Sequence, residues 1–166
     1  KCGLANNEFI IKISNRKLSK GLLEYLEIKD QNQQSTSLRA IDKLDRIGID
    51  GVKLLLGKGR KDKSGDFTEG AKLEQKQIDK IIEFLNSKGL NQVEQIACNN
   101  KLFQEGINEL RQIVKNFNFF KFSNFKIDPA VVRGLEYYTG PIFEAELTFK
   151  VKNEKGIDIE FGSIGG

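Results

Sequence analysis

The start of the chain shows a strand pattern followed by a helix pattern. Residues 8–15 alternate between apolar and polar side chains, as expected of a strand with one buried face. Ile10 breaks the alternation, so we expect both faces of this strand to be partly covered. Asn15 then offers a helix N-cap, and leucines recur at helical spacing as far as Leu26. The sequence therefore predicts a strand that leads into a helix.

The next stretch, residues 29–37, is polar and has no periodicity, which predicts a surface loop. An apolar stripe with helical spacing follows it, formed by Leu38, Ile41, Leu44 and Ile47. Ser37 can cap the start of that helix, and Gly48 can end it. We therefore expect a loop and then a helix over about residues 37–48.

Glycines punctuate a basic segment over residues 57–70. Its opening, GKGRK at residues 57–61, has some features of a loop that cradles phosphate. The strand that should precede such a loop and the Gly-Lys-Ser/Thr ending are both missing. The segment is therefore predicted to be a mobile basic loop.

Two further helices are predicted from apolar positions at helical spacing, over residues 74–87 and 101–117. With the helix after Ser37 they make a small helical module. Several phenylalanines lie at its end, namely Phe117, Phe119, Phe120, Phe122 and Phe125. Stacking on nucleic-acid bases is one interpretation. Few arginines lie nearby and such residues more often fill a core, so a core role is predicted.

The last third of the chain returns to a period of two. Odd positions are apolar and even positions polar over residues 143–152, and the alternation resumes over residues 157–161. Residues 153–156, with the sequence NEKG, supply turn chemistry between them. We predict an antiparallel hairpin with one buried apolar face and one charged face.

Composition narrows the class of protein. The 166 residues are 39% hydrophobic and 30% charged, without an apolar run long enough to span a bilayer, so no membrane partner is expected. The chain has no histidine, and Cys2 and Cys98 match no metal-ligand spacing, which excludes a zinc site and histidine-based catalysis. Two unpaired cysteines without a signal peptide favour the cytoplasm. A net charge of +4 is compatible with RNA but does not require it.

Both ends of the chain are untypical of natural termini. It begins at Lys1 rather than at methionine, and it stops at Gly165 and Gly166, where glycines should lead into a turn or a loop. We therefore expect an internal fragment of a longer protein.

The most specific sequence lies between the helical module and the hairpin. Residues 133–140 read RGLEYYTG, and PIFE follows at residues 141–144. This run resembles the histidine-specific signature of the histidyl-tRNA synthetases, a family of class II aminoacyl-tRNA synthetases. The family commonly has aspartate where Glu136 stands, which is a mild departure.

Three further stretches resemble the same family in the same order. Residues 9–23 resemble the strand and helix that follow its second class motif, and residues 39–45 resemble the opening of its inserted segment. Residues 161–166 resemble the start of its glycine-rich strand. The resemblance thus covers nearly the whole chain and is sharpest over residues 133–144.

The residue types in the signature suit such a site. Arg133 offers a rigid fork of donors for a carboxylate or phosphate, and Gly134 permits close approach of the backbone. A tyrosine hydroxyl both donates and accepts, so Tyr137 or Tyr138 can recognise a neutral imidazole. Both tyrosines can line one pocket only if the backbone bends, for which residues 139–141 are suited. Without the resemblance, a structural ion pair and half-buried tyrosines would be the default interpretation.

The resemblance implies a two-step reaction. Histidine carboxylate attacks the α-phosphate of ATP to give histidyl-adenylate and pyrophosphate, and the histidyl group is then transferred to the 3′ end of histidine tRNA. Arg133 would be the catalytic residue and would bind histidine together with Tyr137 and Tyr138. Tyr138 matches the imidazole-contacting position of the family, although which tyrosine faces inward stays open. Glu136 and Glu144 would have structural or orienting roles.

The implied fold is α+β, with parts of an antiparallel class II core sheet flanking a helical insertion. Residues 1–34 would belong to the catalytic core, residues 35–125 to the insertion, and residues 126–166 to the core with the histidine motif. The three class motifs that build the dimer and hold ATP are not found in the sequence. We therefore expect the fragment alone to be inactive and to hold neither ATP nor Mg²⁺. Histidine, ATP with Mg²⁺, histidine tRNA and a second subunit are the partners expected of the full-length enzyme.

Two other functions stay open. A regulatory paralogue of the family pairs with an ATP phosphoribosyltransferase and binds histidine as a sensor. Such a sensor need not keep an arginine aimed at an α-phosphate, and Arg133 is present here. Alternatively, the helical insertion is a plain RNA-binding module that binds the tRNA acceptor stem without histidine.

Overall fold

Helices and strands are both present in a computed structural model, which describes residues 3–5, 7–62, 64–132, 137–159 and 163–165. The helices are α1 (Arg16–Tyr25), α2 (Gln31–Asp42), α3 (Leu44–Leu56), α4 (Gln75–Asn86), α5 (Leu90–Ile96) and α6 (Lys101–Phe119). The strands are β1 (Phe9–Asn15), β2 (Gly59–Lys61), β3 (Phe67–Glu69), β4 (Phe125–Ile127), β5 (Pro141–Leu147), β6 (Val151–Lys152), β7 (Asp158–Ile159) and β8 (Ser163–Gly165). The α+β class is confirmed. Within these residues, no helix combines the length and apolar character that crossing a membrane requires.

The main sheet is built around β1, and its strand order is β4-β1-β5-β8. β1 runs parallel to β4, with Ile11 opposite Phe125, and antiparallel to β5, with Lys12 opposite Glu144. β8 pairs with the other edge of β5. The start of the chain is therefore joined to the two strands that follow the helices.

Both faces of β1 are covered, as the break in its alternation predicts. Lys12 and Ser14 are buried on one face, and Ile13 is buried on the other. Asn15 then caps α1, because its side-chain oxygen accepts a hydrogen bond from the backbone N–H of Lys17 at 3.0 Å. The predicted strand, cap and helix are all confirmed.

The loop predicted for residues 29–37 is wrong, because α2 begins inside it. Asp30 is the N-cap, and its carboxylate accepts a hydrogen bond from the backbone N–H of Gln33 at 2.8 Å. Glutamine is a good helix former, and the Gln33 side chain also donates to the carbonyl of Ala71 at 3.0 Å. Ser37, the predicted cap, lies buried within the helix. A cap and a tertiary contact thus stabilise the first half of α2, which has no apolar period.

The helix predicted over residues 37–48 is divided at Lys43, where α2 ends and α3 begins. α3 continues to Leu56, beyond the predicted end at Gly48. Gly48 has φ 67° and ψ 176°, a conformation that glycine adopts readily. Gly48 therefore kinks α3 instead of ending it.

The mobile loop predicted for residues 57–70 is also wrong, because β2 and β3 form an antiparallel hairpin there. Gly59 has φ 117°, and a Cβ atom at this position would come within 2.3 Å of the carbonyl oxygen of Thr68. The glycine is needed for close packing of the two strands. Glycine content alone therefore gave a misleading indication of mobility.

The helices predicted over residues 74–87 and 101–117 are confirmed as α4 and α6. A capping box between Glu74 and Gln77 starts α4. The sequence does not predict α5, because its seven residues span only about two turns and show no clear period.

One hydrophobic cluster joins the helices to the sheet. Its fully buried side chains come from β1 and from the helices, and they include Ile13, Leu18, Leu22, Ile81, Phe84, Phe103, Ile107 and Leu110. α1 and α6 approach closely at Gly21, where a Cβ atom would lie 2.6 Å from the backbone nitrogen of Phe103. α6 therefore packs on α1 and β1 and fixes the helices against the sheet.

Burial along β5 is the reverse of what its alternation predicts. Ile142 and Glu144 are buried, whereas Phe143 is exposed. The reason is that the even face of β5 continues the face of β1 that carries Lys12, whose ammonium pairs with Glu146. The charged face is therefore an inner face, because its charges have partners there.

The predicted hairpin forms, but it is shorter than the alternation suggests. β5 ends at Leu147, and the hairpin consists of β6 and β7 alone, with Val151 opposite Ile159. The side-chain oxygen of Asn153 organises the turn by accepting hydrogen bonds from the backbone N–H groups of Lys155 and Ile157, both at 2.9 Å. Residues 160 and 161 of the predicted second strand lie outside the described residues.

Candidate functional site

The signature RGLEYYTG begins at residue 133, and residues 133–136 lie outside the part of the chain that the structure describes. The roles predicted for Arg133 and Glu136 therefore stay predictions. The structure does describe both flanks of this segment and the second half of the signature. The contacts of these flanks fix the positions at which the chain enters and leaves the signature.

A turn fixed to β1 leads into the signature. The backbone N–H of Asp128 donates to the carbonyl of Ile13 at 2.9 Å. Asp128 in turn accepts two hydrogen bonds at 3.2 Å, through its carboxylate from the backbone N–H of Ala130 and through its carbonyl from that of Val131. Val131 and Val132 are buried. The chain thus enters the signature from a fixed point beside β1.

The signature ends where α1 begins. The backbone N–H of Arg16 donates to the carbonyl of Gly140 at 2.8 Å. Pro141 starts β5 directly opposite Asn15. The chain bends at Thr139 and Gly140, which confirms the bend predicted there. Both flanks are therefore tied to the junction between β1 and α1.

The two tyrosines of the signature differ in exposure. Tyr137 is 90% exposed, whereas Tyr138 is 38% exposed. A tyrosine that reads a ligand with its hydroxyl is expected to pack its ring against protein. Tyr138 is therefore the less exposed of the two, and the histidine-binding roles of both residues stay predictions.

Side-chain hydrogen bonds connect α6 to the junction between β1 and α1. Glu109 accepts hydrogen bonds from Asn15 Nδ2 at 2.7 Å and from Lys17 Nζ at 2.6 Å. Burial alone would raise the pKa of Glu109, but these two hydrogen bonds outweigh it and hold that pKa below its usual value. Arg16 is buried at the same junction, and burial lowers the pKa of its guanidinium. The sequence patterns single out neither Arg16 nor Glu109, because their surroundings depend on tertiary packing.

A second charged group lies on the inner face of the sheet. We call it the Lys12 cluster, and it comprises Lys12, Asp45, Asp128, Glu144 and Glu146. Lys12 forms an ion pair with Glu146 and lies 3.9 Å from Asp128. Burial alone would lower the pKa of Lys12, but the hydrogen bond with Glu146 and the charges of Glu146, Asp128 and Asp45 raise it above its ordinary value. The buried ammonium is therefore held in its charged form.

Carboxylates are concentrated in the Lys12 cluster. Asp45, Glu144 and Glu146 offer oxygens within 4.8 Å of one another, a spacing that a divalent cation can bridge. The ammonium of Lys12 already supplies positive charge to these carboxylates. A structural role for the Lys12 cluster is therefore favoured over the binding of a cation. A cavity of about 30 Å³ lies between the cluster and the buried residues Val131 and Val132. The cluster thus lies directly against the flank that leads into the signature.

Sequence reasoning did not identify the Lys12 cluster, except that it gave Glu144 a structural or orienting role. The sequence does contain two indications of the cluster. Lys12 is the single charged residue of an apolar strand, and Glu144 and Glu146 repeat with a period of two. Opposite charges on two strands indicate a buried cross-strand pair only once the register is known. The register between β1 and β5 cannot be read from the sequence.

Solved structures define the class of protein. Histidyl-tRNA synthetase from Nostoc sp. PCC 7120 superimposes with a TM-score of 0.69 at 29% identity, over 84% of this chain and 32% of its own length. An ATP phosphoribosyltransferase regulatory subunit/histidyl-tRNA synthetase from Bacillus halodurans superimposes with a TM-score of 0.66 over 94% of this chain and 36% of its own. Its identity of 15% shows a likeness of fold alone. The architecture is therefore that of a class II aminoacyl-tRNA synthetase segment.

Sequence comparison identifies the family. The sequence model of the histidyl-tRNA synthetase family matches residues 2–148. Histidine–tRNA ligase from Rhizobium meliloti is 47% identical over 174 aligned residues, which cover 99% of this chain and 34% of the ligase. The chain belongs to the histidyl-tRNA synthetase family, as the signature predicts. It spans about a third of the length of the curated relatives that it matches.

Proposed function

We propose that this chain is the part of a histidine–tRNA ligase that holds histidine for activation. In the full-length enzyme, the histidine carboxylate attacks the α-phosphate of ATP bound with Mg²⁺ and displaces pyrophosphate. The resulting histidyl-adenylate transfers its histidyl group to histidine tRNA and releases AMP. Arg133 stabilises charge at the carboxylate and the α-phosphate, while Tyr137 and Tyr138 line the imidazole pocket. The observation that carries the proposal is the RGLEYYTG signature in a chain 47% identical to a histidine–tRNA ligase.

The geometry of the flanks supports this role. A catalytic arginine must be held within a narrow range of positions if it is to stabilise charge as the reaction proceeds. Asp128 fixes the entry to the signature on β1, and Gly140 fixes its exit on α1. The segment that carries Arg133 is thus tied to rigid elements at both ends.

The parts of the chain have different roles in the proposal. Residues 1–34 and 126–166 form parts of the catalytic core, and residues 35–125 form a helical insertion on the side of the tRNA acceptor stem. The proposed boundary at residue 34 lies inside α2, and α6 ties the insertion to the core by packing on β1 and α1. The full-length enzyme acts as a homodimer in the cytoplasm, where its tRNA is used.

A histidine-sensing regulatory subunit is the main rival, since the Bacillus halodurans protein has a similar fold. That likeness comes with 15% identity, against 47% for the Rhizobium meliloti ligase. Arg133 is also present, and a sensor has no α-phosphate for it to act on. These observations favour the ligase.

A chimeric ligase tests the proposal. It consists of the Rhizobium meliloti histidine–tRNA ligase with its matching third replaced by this chain, a region 47% identical in sequence. We expect histidine-dependent ATP–pyrophosphate exchange from the chimeric ligase. We expect none from the chain alone, because the ATP-holding motifs of the family are not in its sequence.

The unmodified Rhizobium meliloti ligase is the control for exchange, and circular dichroism checks that the chimeric ligase is folded. A folded chimeric ligase that binds histidine but catalyses no exchange would favour the sensor. One that neither binds histidine nor catalyses exchange would contradict a histidine site altogether. Exchange by the chain alone would show that the predicted incomplete site is wrong.

Specificity for histidine gives a second prediction, in the same chimeric ligase. Tyr138→Phe should weaken histidine binding by roughly 1–3 kcal/mol, because an imidazole nitrogen loses its partner in a desolvated pocket. Isothermal titration calorimetry measures the affinity. The comparison variant is Tyr137→Phe, which should weaken histidine binding less because the Tyr137 side chain is 90% exposed. If Tyr137→Phe weakens histidine binding and Tyr138→Phe does not, the roles of the two tyrosines are reversed. If neither variant changes histidine affinity, neither hydroxyl contacts the imidazole.

A further inference from the structure

We propose that the end of α6 is a binding surface for single-stranded RNA. We call this surface the α6 tip, and it consists of Lys115, Phe119, Phe120 and Lys121. It lies outside the histidine signature and requires neither histidine nor ATP. The inference rests on the proposed function, in which residues 35–125 lie on the side of the tRNA acceptor stem, and it deepens that function by naming a surface for unpaired RNA.

The phenylalanines at the end of α6 fall into two groups, which corrects the prediction that they all fill a core. Phe117 packs edge-to-face against Phe122 and Phe125, with ring centroids 4.9 and 5.0 Å apart. Phe119 and Phe120 lie outside this cluster and are 81% and 75% exposed. Their rings contact each other with centroids 5.2 Å apart. Three of the five phenylalanines thus pack against one another, and the other two are exposed to solvent.

The two exposed rings are presented on an ordered backbone. The backbone N–H of Phe120 donates to the carbonyl of Asn116 at 3.0 Å, and that of Phe122 donates to the carbonyl of Phe117 at 2.8 Å. Lys121 has φ 53°, at a helix end where glycine is usual. Lys121 therefore adopts a backbone conformation that favours glycine.

Basic residues lie close to the two exposed phenylalanines in the sequence, with no acidic residue among them. Residues 110–127 contain no aspartate or glutamate and four basic residues, namely Arg111, Lys115, Lys121 and Lys126. Two of the four form ion pairs with neighbouring carboxylates. Within the described residues, Lys115 and Lys121 form no such pair. Lys115 lies one helical turn before Phe119, on the same face of α6.

Exposed aromatic rings beside unpaired lysines match the chemistry of a single strand of RNA. Unpaired bases stack on aromatic side chains, and lysines neutralise the phosphates between them. Bases within a double helix are already stacked and cannot be reached in this way. A second copy of this chain would bring like charge to the surface, which opposes self-association. RNA is also the polymer named for the relatives of this chain, which are histidine–tRNA ligases.

The test measures binding of the 166-residue chain to a labelled oligouridylate of about 12 nucleotides by fluorescence anisotropy, over a range of salt concentrations. The double variant Phe119→Leu/Phe120→Leu keeps an apolar helix end but removes both rings. It should weaken binding about tenfold or more. The double variant Lys115→Gln/Lys121→Gln should also weaken binding, and should reduce the slope of log K against log salt by about 1.4.

Phe67→Leu is the matched control, because Phe67 is 57% exposed in β3 and lies next to Asp66 and near Glu69. It should leave RNA binding unchanged, and a double-stranded RNA of equal length should bind the unmodified chain more weakly. The proposal would be overturned if Phe67→Leu lost as much RNA affinity as the double phenylalanine variant, or if the double phenylalanine variant lost none. It would also be overturned if the unmodified chain did not bind the RNA at low salt. If the double phenylalanine variant does not fold, the lysine variant and its salt slope decide the question.

Sedimentation distinguishes RNA binding from self-association. We expect a monomer in which the phenylalanine substitutions leave the mass unchanged. A dimer that dissociates on these substitutions while RNA binding persists would show instead that the surface joins two copies of the chain. Because the assay contains neither histidine nor ATP, its failure would not affect the ligase proposal.

Discussion

In the chimeric ligase, Arg133→Ala is expected to slow histidyl-adenylate formation about 100- to 1,000-fold and to weaken histidine binding much less. The guanidinium fork can hold the histidine carboxylate before reaction. Its charge matters most when negative charge builds up around the α-phosphate, which happens in the transition state. The activation rate is measured in a single turnover with excess enzyme, and histidine affinity is measured separately by calorimetry.

Two further variants make the Arg133 experiment specific. Arg133→Lys keeps the charge but loses the planar fork, so an intermediate rate is expected. Arg111→Ala removes an arginine from the exposed face of α6, where it pairs with Glu94, and should leave activation unchanged. An Arg133→Ala enzyme with an unaltered single-turnover rate would show that Arg133 is not catalytic. A loss confined to histidine affinity would make it a ground-state binding residue only.

Lys12→Met is expected to lower the free energy of unfolding of the chain by about 3–5 kcal/mol. Lys12 is only 8% exposed, and its ammonium is the one positive charge within the Lys12 cluster. Methionine preserves much of the side-chain volume but leaves the carboxylates to repel one another. Urea unfolding, followed by circular dichroism, measures the difference.

Lys126→Met is the matched control, since Lys126 also pairs with Asp128, at 3.5 Å, but its side chain is 47% exposed. Lys126→Met should lower the free energy of unfolding by less than about 1 kcal/mol. Because the pKa of Lys12 is raised in the folded chain, its contribution is complete below its ordinary value of 10.5 and declines as the pH rises through the folded value. The chain and Lys12→Met should therefore converge in stability above pH 10.5. Equal losses in the two methionine variants would show that burial of Lys12 is unimportant.

Elements with a strong period were predictable from the sequence. β1, α1, α4 and α6 each have an apolar face that repeats with the period of their structure, and all four are confirmed. The first half of α2 was predicted to be a loop because Asp30 and Gln33 stabilise it through a cap and a tertiary hydrogen bond, neither of which has a period. The hairpin of β2 and β3 was missed because glycines that allow close packing look the same in sequence as glycines that allow motion.

The candidate site was predictable only where its residues are contiguous. The signature over residues 133–140 is read directly, and so is the bend at its end. The Lys12 cluster draws on β1, α3, β5 and the turn after β4, so its members meet only in the folded chain. The alternation of β5 even led to the wrong buried face, because charged side chains that have partners can be buried as well as apolar ones.

The parallel pairing of β1 with β4 affects the chain while it is being synthesised. β1 leaves the ribosome before every helix of the fold, whereas its neighbours β4 and β5 emerge after α6. During that time β4 and β5 are not available to pair with its edges, and its apolar residues are prone to aggregation. Lys12 interrupts the run FIIKI, as a charged gatekeeper does in aggregation-prone strands. We therefore expect the lysine that later joins the buried cluster to protect the nascent strand until β4 and β5 are made.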